Sequence, residues 1–120
     1  MAGTIVADKW QNGDGTENYK CRAWVNFNGT GTVAIRASGN VSSITDNGAG
    51  YYRVNFSTPM PDANYATTSM CSNDNVAGTF IDFNQSNNGG VNTTTSCNIE
   101  LVGVGTGPSD RQYIYVTIFR

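Results

Sequence analysis

Acidic residues are the side chains of this sequence that could carry out acid–base chemistry, since it holds nine of them and no histidine. Two carboxylates that flank a glycosidic bond can cleave it, one as the acid and the other as base or nucleophile. Asp82 and Glu100 fall inside predicted strands and are the best inward-facing candidates for such a pair. Most of the others occupy predicted turns, where aspartate is an ordinary turn former: Asp46, Asp62, Asp74 and Asp110. We therefore expect that the protein is not an enzyme, and a small polysaccharide-cleaving enzyme is the least favoured alternative.

Nucleophilic and metal chemistry find equally little support. A serine or cysteine nucleophile needs a neighbouring base, and the histidine of the common triads is absent. The cysteines are Cys21, Cys71 and Cys97, with no CxxC pair. An odd number without a secretion signal predicts buried free thiols rather than a disulfide framework. The Asp14-Gly15 stretch lacks the ligand spacing of a calcium loop and is interpreted as a turn. We expect no metal and no cofactor.

The charge content argues against several classes of partner. Charged residues make up 13% of the chain and its net charge is −2, where ordinary soluble domains have roughly 25% charged residues. The basic residues are scattered, which argues against nucleic acid and against a polybasic membrane patch. No apolar run approaches the roughly 20 residues that span a bilayer. The first residues, MAGTIVADKW, do not form a signal peptide, so we expect the protein to be made in a cytoplasm.

The elements that must position any site are β-strands. Strict apolar alternation predicts strands at residues 23–27, 32–38, 51–57 and 113–119, and composition predicts weaker ones at 41–45, 66–71, 79–84 and 97–104. The last alternating strand is bulky on both faces and is expected to be buried on both. In the expected strand at residues 32–38, Val33, Ile35 and Ala37 are expected to share one face. No stretch carries the apolar stripe of a helix.

Asn, Gly, Asp and Pro separate these strands. Asn28-Gly29 predicts a type I′ hairpin turn, residues 46–50 a further turn, and Pro59 to Pro61 a rigid corner. Such spacing predicts an all-β fold, an antiparallel β-sandwich of about eight strands. Residues 21–120 are expected to form this single domain and residues 1–20 an irregular lead-in.

Apolar and aromatic side chains outside the expected core suggest binding or assembly. Trp24, Tyr51, Tyr113 and Tyr115 oppose the aliphatic faces of their strands. Exposed aromatic rings stack on sugars, and rings buried between subunits would produce the same pattern. Subunit burial is favoured for Trp24 and Tyr115, and both interpretations stay open for Tyr51 and Tyr113. Packing against a neighbouring subunit would also explain the isolated apolar residues of the lead-in: Ile5, Val6, Trp10 and Tyr19.

One stretch also resembles a known family. Residues 23–65 include AWVNFNGTGTVAIRASGNVSSITDNG and YRVNFSTPMPDANY, which Ala66 follows. They resemble a module near the C-terminal end of tail fibre proteins of tailed bacteriophages, notably marine and cyanobacterial ones. The Pro59–Pro61 corner after Phe56, together with the closing strand YIYVTIF, is also similar to trimeric H-type lectin domains, although no sugar-binding residue of that family can be placed here. The resemblance implies a homotrimer whose distal domain attaches to the host surface.

The expected function is therefore a receptor-binding tip domain of a tail fibre, located in the virion. Its expected partners are two further copies of itself, other tail proteins, and a host polysaccharide or lipopolysaccharide. Polar loops are the expected contact elements, at residues 72–78, 85–95 and 106–111. The candidate ligand-binding residues are Asp74, Asn75, Asn87, Asn88, Asp110, Arg111, Tyr51 and Tyr113. The alternative is a purely structural trimerisation or connector module.

Overall fold

The computed structural model describes residues 2–16, 18–72, 79–82, 90–103 and 107–120. A strand lies at each of the eight expected places, and residues 83, 84 and 104 of the expected strands fall outside the described ranges. A ninth strand, of two residues, was not expected. The strands are β1 (Cys21–Asn28), β2 (Ala34–Gly39), β3 (Val41–Gly48), β4 (Tyr51–Phe56), β5 (Ala66–Ser72), β6 (Thr79–Asp82), β7 (Ser96–Gly103), β8 (Gly107–Pro108) and β9 (Tyr113–Phe119). In the described part of the chain, no helix has the length and apolar character needed to cross a membrane.

The strands form two antiparallel sheets, in agreement with the expected all-β sandwich. The first sheet has the order β2-β1-β9-β5, and the second has the order β3-β4-β7-β6 with β8 added beside β7. Each sheet therefore joins a hairpin from the first half of the chain to strands from the second half. The joins are the β1–β9 pair in the first sheet and the β4–β7 pair in the second.

The core lies between the sheets and follows the expected alternation. In β1, β4 and β9 every second residue is buried, while the residues between them are exposed or half-buried. The ring of Phe27 from the first sheet meets that of Tyr52 from the second edge to face, with centroids 5.3 Å apart. Fully burying a large apolar side chain stabilises a fold by about 1.5–3 kcal/mol. The central buried residues are Ala23, Val25, Phe27, Tyr52, Val54, Phe56, Cys97, Ile99, Leu101, Ile114, Val116 and Ile118.

Strand β9 is buried on one face only, so the expectation of two buried faces is wrong for the single chain. Ile114, Val116 and Ile118 are buried, whereas Tyr115 and Phe119 on the other face are exposed. β9 is a central strand, so both flanking strands supply its backbone partners. Within the described residues, no layer covers its second face.

Strand β2 departs from the expected pattern because it contains a bulge. The register places Phe27 opposite Ile35 but Asn26 opposite Ala37, so Arg36 has no partner of its own. A bulge shifts the alternation by one residue. Ala37 therefore moves to the outer face, while Ile35 stays on the inner side at the edge of the sheet, with 37% of its surface exposed. The prediction of one shared apolar face for residues 33, 35 and 37 is wrong.

The connection from β1 to β2 is not the predicted type I′ turn. That turn needs positive φ at both central residues, but only Gly31 in this connection has one, at 64°. Asn28 instead accepts hydrogen bonds from the amide and the hydroxyl of Thr30. Gly29 is required for space, since an added Cβ would lie 2.5 Å from the Tyr52 hydroxyl.

Only Cys97 fits the expectation of a buried thiol. All three cysteines are free, but Cys21 is exposed and Cys71 is half-buried. Burial raises the pKa of Cys97 to about 12, so this thiol stays protonated and acts as a small apolar side chain.

The lead-in folds back locally without contributing to the core. Asn18 N donates to Trp10 O, and Asn12 N donates to Thr16 O, at 2.7 Å and 2.8 Å. Asp14 accepts bonds from the amide and hydroxyl of Thr16, in agreement with its interpretation as a turn residue. The large apolar side chains of this segment are mostly exposed: Ile5, Val6, Trp10 and Tyr19.

The corner after β4 is held to the C-terminal residue by an ion pair. Arg120 Nε donates to one carboxylate oxygen of Asp62 at 2.9 Å, and its NH2 group donates to the other at 2.5 Å. These hydrogen bonds lower the pKa of Asp62 to about 2. The ion pair connects the loop before β5 to the end of β9.

We expect this ion pair to make unfolding pH-dependent in a defined window. The folded-state pKa of Asp62 is lower than its ordinary value of 3.8, so the unfolded chain binds more protons between these values. The stabilisation is then complete above about pH 4 and is lost as the pH falls towards 2. Urea denaturation at several pH values should give a steeper acid loss for the native chain than for Asp62→Asn. Equal slopes would contradict the ion pair.

Candidate functional site

Two turns and one further segment meet at one end of the sandwich, here called the Tyr52 end. It comprises the β1–β2 connection, the β3–β4 turn and residues 107–112. Tyr52 donates its hydroxyl to Gly29 O at 2.9 Å, and Gly29 N donates to Arg111 O at 2.9 Å. Strands β5 and β7 also run towards this end. Both strands end there, at Ser72 and Gly103, and residues 73–78 and 104–106 lie outside the described residues.

Asp110 holds the Tyr52 end together. Its Oδ1 accepts hydrogen bonds from the Tyr52 hydroxyl at 2.5 Å and from Gly50 N at 2.8 Å. Burial, followed by the hydrogen bond to Asp110, raises the pKa of Tyr52 well above its usual range. The carboxylate expected to read a ligand thus has a structural task that sequence alone did not reveal.

Arg111, the next residue, is buried with 8% of its surface exposed. Its side-chain hydrogen bond from NH1 to Asp110 O is long, at 3.4 Å. Within the described residues its Nε is buried without a hydrogen-bond partner. The Tyr52 end therefore contains a cation whose hydrogen-bonding capacity is partly unused.

The two candidate tyrosines do not come together. Tyr51 and Tyr113 alternate with the buried Tyr52 and Ile114, so they lie on the outer faces of opposite sheets. Arg36 lies over the Tyr113 ring at 4.7 Å from its centroid. A hydrogen bond to Glu100 raises the pKa of Tyr51. One small ligand could not contact both rings.

Glu100 does not face inward, which is contrary to the expectation from the sequence. It alternates with the core residues Ile99 and Leu101, so it lies on the outer face of the second sheet, yet only 6% of its surface is exposed. The register places Asp82 directly opposite it. On the same face Arg53 Nε donates to Asn98 Oδ1 at 3.1 Å. These polar side chains form hydrogen bonds along the outer surface of the sheet, which is a structural role.

The outer face of the first sheet carries large apolar side chains that no part of the described chain covers. This uncovered face consists of Trp24, Met70, Tyr115 and Phe119, which are 43%, 74%, 43% and 40% exposed. Tyr115 lies opposite Met70, and a shallow depression of about 260 Å³ beside them is lined also by Thr68, Ser69 and Thr117. Trp24 and Tyr115 were expected from the sequence, whereas Met70 was not, because β5 has no clear apolar alternation.

The remaining candidate residues are Asp74, Asn75, Asn87 and Asn88, which lie outside the described residues. At the end of the predicted contact loop at residues 85–95, residues 93–95 belong to the scaffold. Phe56 N donates to Thr95 O, Met60 N donates to Thr94 O, and the Tyr65 hydroxyl donates to Thr93 O. In the described ranges no three acidic or cysteine side chains come together in a way that could hold a metal ion.

No family model matches this chain, and neither the curated proteins nor the solved structures with which it was compared give a match.

Proposed function

We propose that this chain is a receptor-binding tip domain of a bacteriophage tail fibre, which assembles as a homotrimer and attaches the virion to a polysaccharide or lipopolysaccharide of the host surface. The uncovered face is the observation that carries the proposal. Together with the resemblance of residues 23–65 to tail fibre modules, it favours a protein of assembly and attachment.

The uncovered face suits contact with a second copy of the chain. Contiguous exposed apolar patches on soluble proteins commonly mark sites of association. Aromatic residues and methionine are also enriched in protein–protein interfaces. Here Trp24, Met70, Tyr115 and Phe119 lie on three neighbouring strands of one sheet, in a protein with few charged residues to solvate its surface.

The lead-in provides a second apolar surface that needs a partner. Ile5, Val6, Trp10 and Tyr19 are all more than half exposed. In an assembly, these side chains could pack against the uncovered face of a neighbouring copy, so that both apolar surfaces would be buried. Burial of apolar area stabilises association by roughly 25 cal/mol for each Å² removed from water.

This arrangement leaves the Tyr52 end free for the host. Its turns are fixed by Asp110 and Tyr52 on a rigid scaffold, which is how binding loops are commonly positioned. Three copies on each fibre would multiply weak individual sites into strong attachment, since linked sites bind at a high effective concentration.

The mass in solution tests the trimer. Light scattering on the native chain is expected to give about three times its 12.8 kDa, and a monomer would contradict the proposal. A Met70→Asp/Tyr115→Asp variant is expected to fall to the monomer mass, because two charges would be buried in the contact. Val91→Asp is the matched control. Val91 is 62% exposed and is not part of the uncovered face, so this variant should keep the native mass.

Attachment is tested separately on an array of bacterial surface polysaccharides and lipopolysaccharides. The native protein is expected to bind at least one of them, and to reduce phage adsorption when it is added to host cells first. A trimer that binds none would favour the second candidate, a purely structural connector module. That candidate is supported by the same uncovered face.

A further inference from the structure

Arg111 lies in a buried position at the Tyr52 end of the sandwich. It belongs to the segment between β8 and β9, and its carbonyl oxygen accepts the hydrogen bond of Gly29 N. Only 8% of its surface is exposed. Arginine is almost never so deeply buried in a native protein unless it is paired.

Among the described residues, no carboxylate forms an ion pair with this guanidinium. The neighbouring carboxylate of Asp110 is engaged by Gly50 N and the Tyr52 hydroxyl. Cys71 lies within electrostatic reach, but burial raises the pKa of its thiol, which is therefore neutral near pH 7. An unpaired buried charge is costly, and the addition of an anion recovers much of that cost.

A second unused polar group lies two residues away. In the described chain, four buried side-chain polar atoms lack a hydrogen-bond partner, and two of them are Ser109 Oγ and Arg111 Nε. Ser109 is held in place by its amide, which donates to Leu101 O at 3.0 Å. One segment thus holds a buried hydroxyl oxygen and a buried guanidinium nitrogen that both lack a hydrogen-bond partner in the described chain. Oxyanions accept such charge-assisted hydrogen bonds, and arginine can bind them with two parallel bonds.

We infer that Ser109 and Arg111 form an oxyanion-binding site at the Tyr52 end, which takes the carboxylate or phosphate group of an acidic sugar. The assignment of that sugar to a host surface rests on the proposed function, whereas the anion site itself does not. Both groups present the same chemistry, namely a charged oxygen acceptor, and uronic acids and sugar phosphates are the two sources.

Calorimetric titration of the full chain with inorganic phosphate, glucuronate and glucose tests this site. We expect phosphate or glucuronate to bind and glucose not to bind, and the stronger of the two anions identifies the source. Arg111→Gln is expected to abolish binding, and Ser109→Ala to weaken it about tenfold through the loss of one hydrogen bond to a charged group. Arg36→Gln, which removes an exposed arginine over the Tyr113 ring, should leave anion binding unchanged.

The melting temperature separates binding from a structural role of Arg111. If the cation lacks a partner, the Arg111→Gln variant without anion should have a melting temperature equal to or above that of the native chain. Anion should raise the melting temperature of the native chain and should leave that of the variant unchanged. Failure of the native chain to bind either anion would overturn the inference, and so would equal binding by the Arg111→Gln variant. If that variant does not fold, the native titration and Ser109→Ala decide. Anion binding by a chain that binds no polysaccharide would leave this site standing and contradict the proposed function.

Discussion

Gly50→Ala is expected to destabilise the domain by about 3 kcal/mol or more, through combined backbone strain and overlap. Gly50 has φ of 76°, where a side chain is strained by about 1–2 kcal/mol. An added Cβ would also lie 2.5 Å from Ser109 N and 2.8 Å from Leu101 O. Both are backbone atoms, so relief requires the β3–β4 turn to move away from β7 and from the segment after β8.

That movement would break the contacts that close the Tyr52 end. Leu101 N donates to Gly50 O, and Gly50 N donates to Asp110 Oδ1, each at 2.8 Å. Urea denaturation measures the loss in free energy of unfolding. The matched control is Gly107→Ala, since Gly107 has φ of 72° but nothing within 4 Å of an added Cβ. The control should cost about 1 kcal/mol. Equal losses in both variants would show that the overlap at Gly50 has no effect.

Asn40→Ala is expected to cost about 2–4 kcal/mol, because this residue joins the two sheets. It is the single residue between β2 of the first sheet and β3 of the second, and its φ is 54°. Its Nδ2 donates to Arg22 O and Thr58 O, each at 3.1 Å, and its Oδ1 accepts from Thr58 N at 2.7 Å. Each of these hydrogen bonds contributes about 0.5–1.5 kcal/mol, and alanine adds the strain of positive φ.

Asn40→Gly separates these two contributions. Glycine keeps the backbone conformation and loses the three side-chain hydrogen bonds, so it should be more stable than Asn40→Ala by about 1 kcal/mol. Thermal and urea denaturation of both variants give the comparison. Full native stability in Asn40→Gly would mean that the side-chain bonds contribute nothing.

The strands could be predicted from sequence because alternation is a local property. Val25, Val54 and Val116 each occupy a position whose face the neighbouring residues already define, and all are buried as expected. The bulge at Arg36 could not be foreseen, because it depends on the register between β1 and β2. The prediction of a type I′ turn at Asn28-Gly29 was wrong for a related reason. The space beneath the Tyr52 hydroxyl and the bond from Gly29 N to Arg111 O come from residues distant in sequence.

The candidate site was predictable only as a set of residue types. Polarity and loop length predicted Asp110 and Arg111 as candidate ligand-binding residues. Their different roles follow from a contact between distant residues, the hydrogen bond that the Tyr52 hydroxyl donates to Asp110. Tyr51 and Tyr113 looked equivalent as aromatic residues beside loops. Sheet order alone places them on opposite surfaces, and sheet order is not encoded in any short stretch.

The order of the strands has a consequence for how the molecule must form. Strands β1 to β4 come from residues 21–56 and β5 to β9 from residues 66–119, and the two groups meet at the β1–β9 and β4–β7 pairs. The β1–β9 pair joins Cys21 to Phe119, so the first sheet can close only after the last strand has been synthesised. Pairing of such distant segments slows folding. During translation the early hairpins therefore stay open along the edges that their late partners will cover, and these edges are where neighbouring nascent chains can pair with each other.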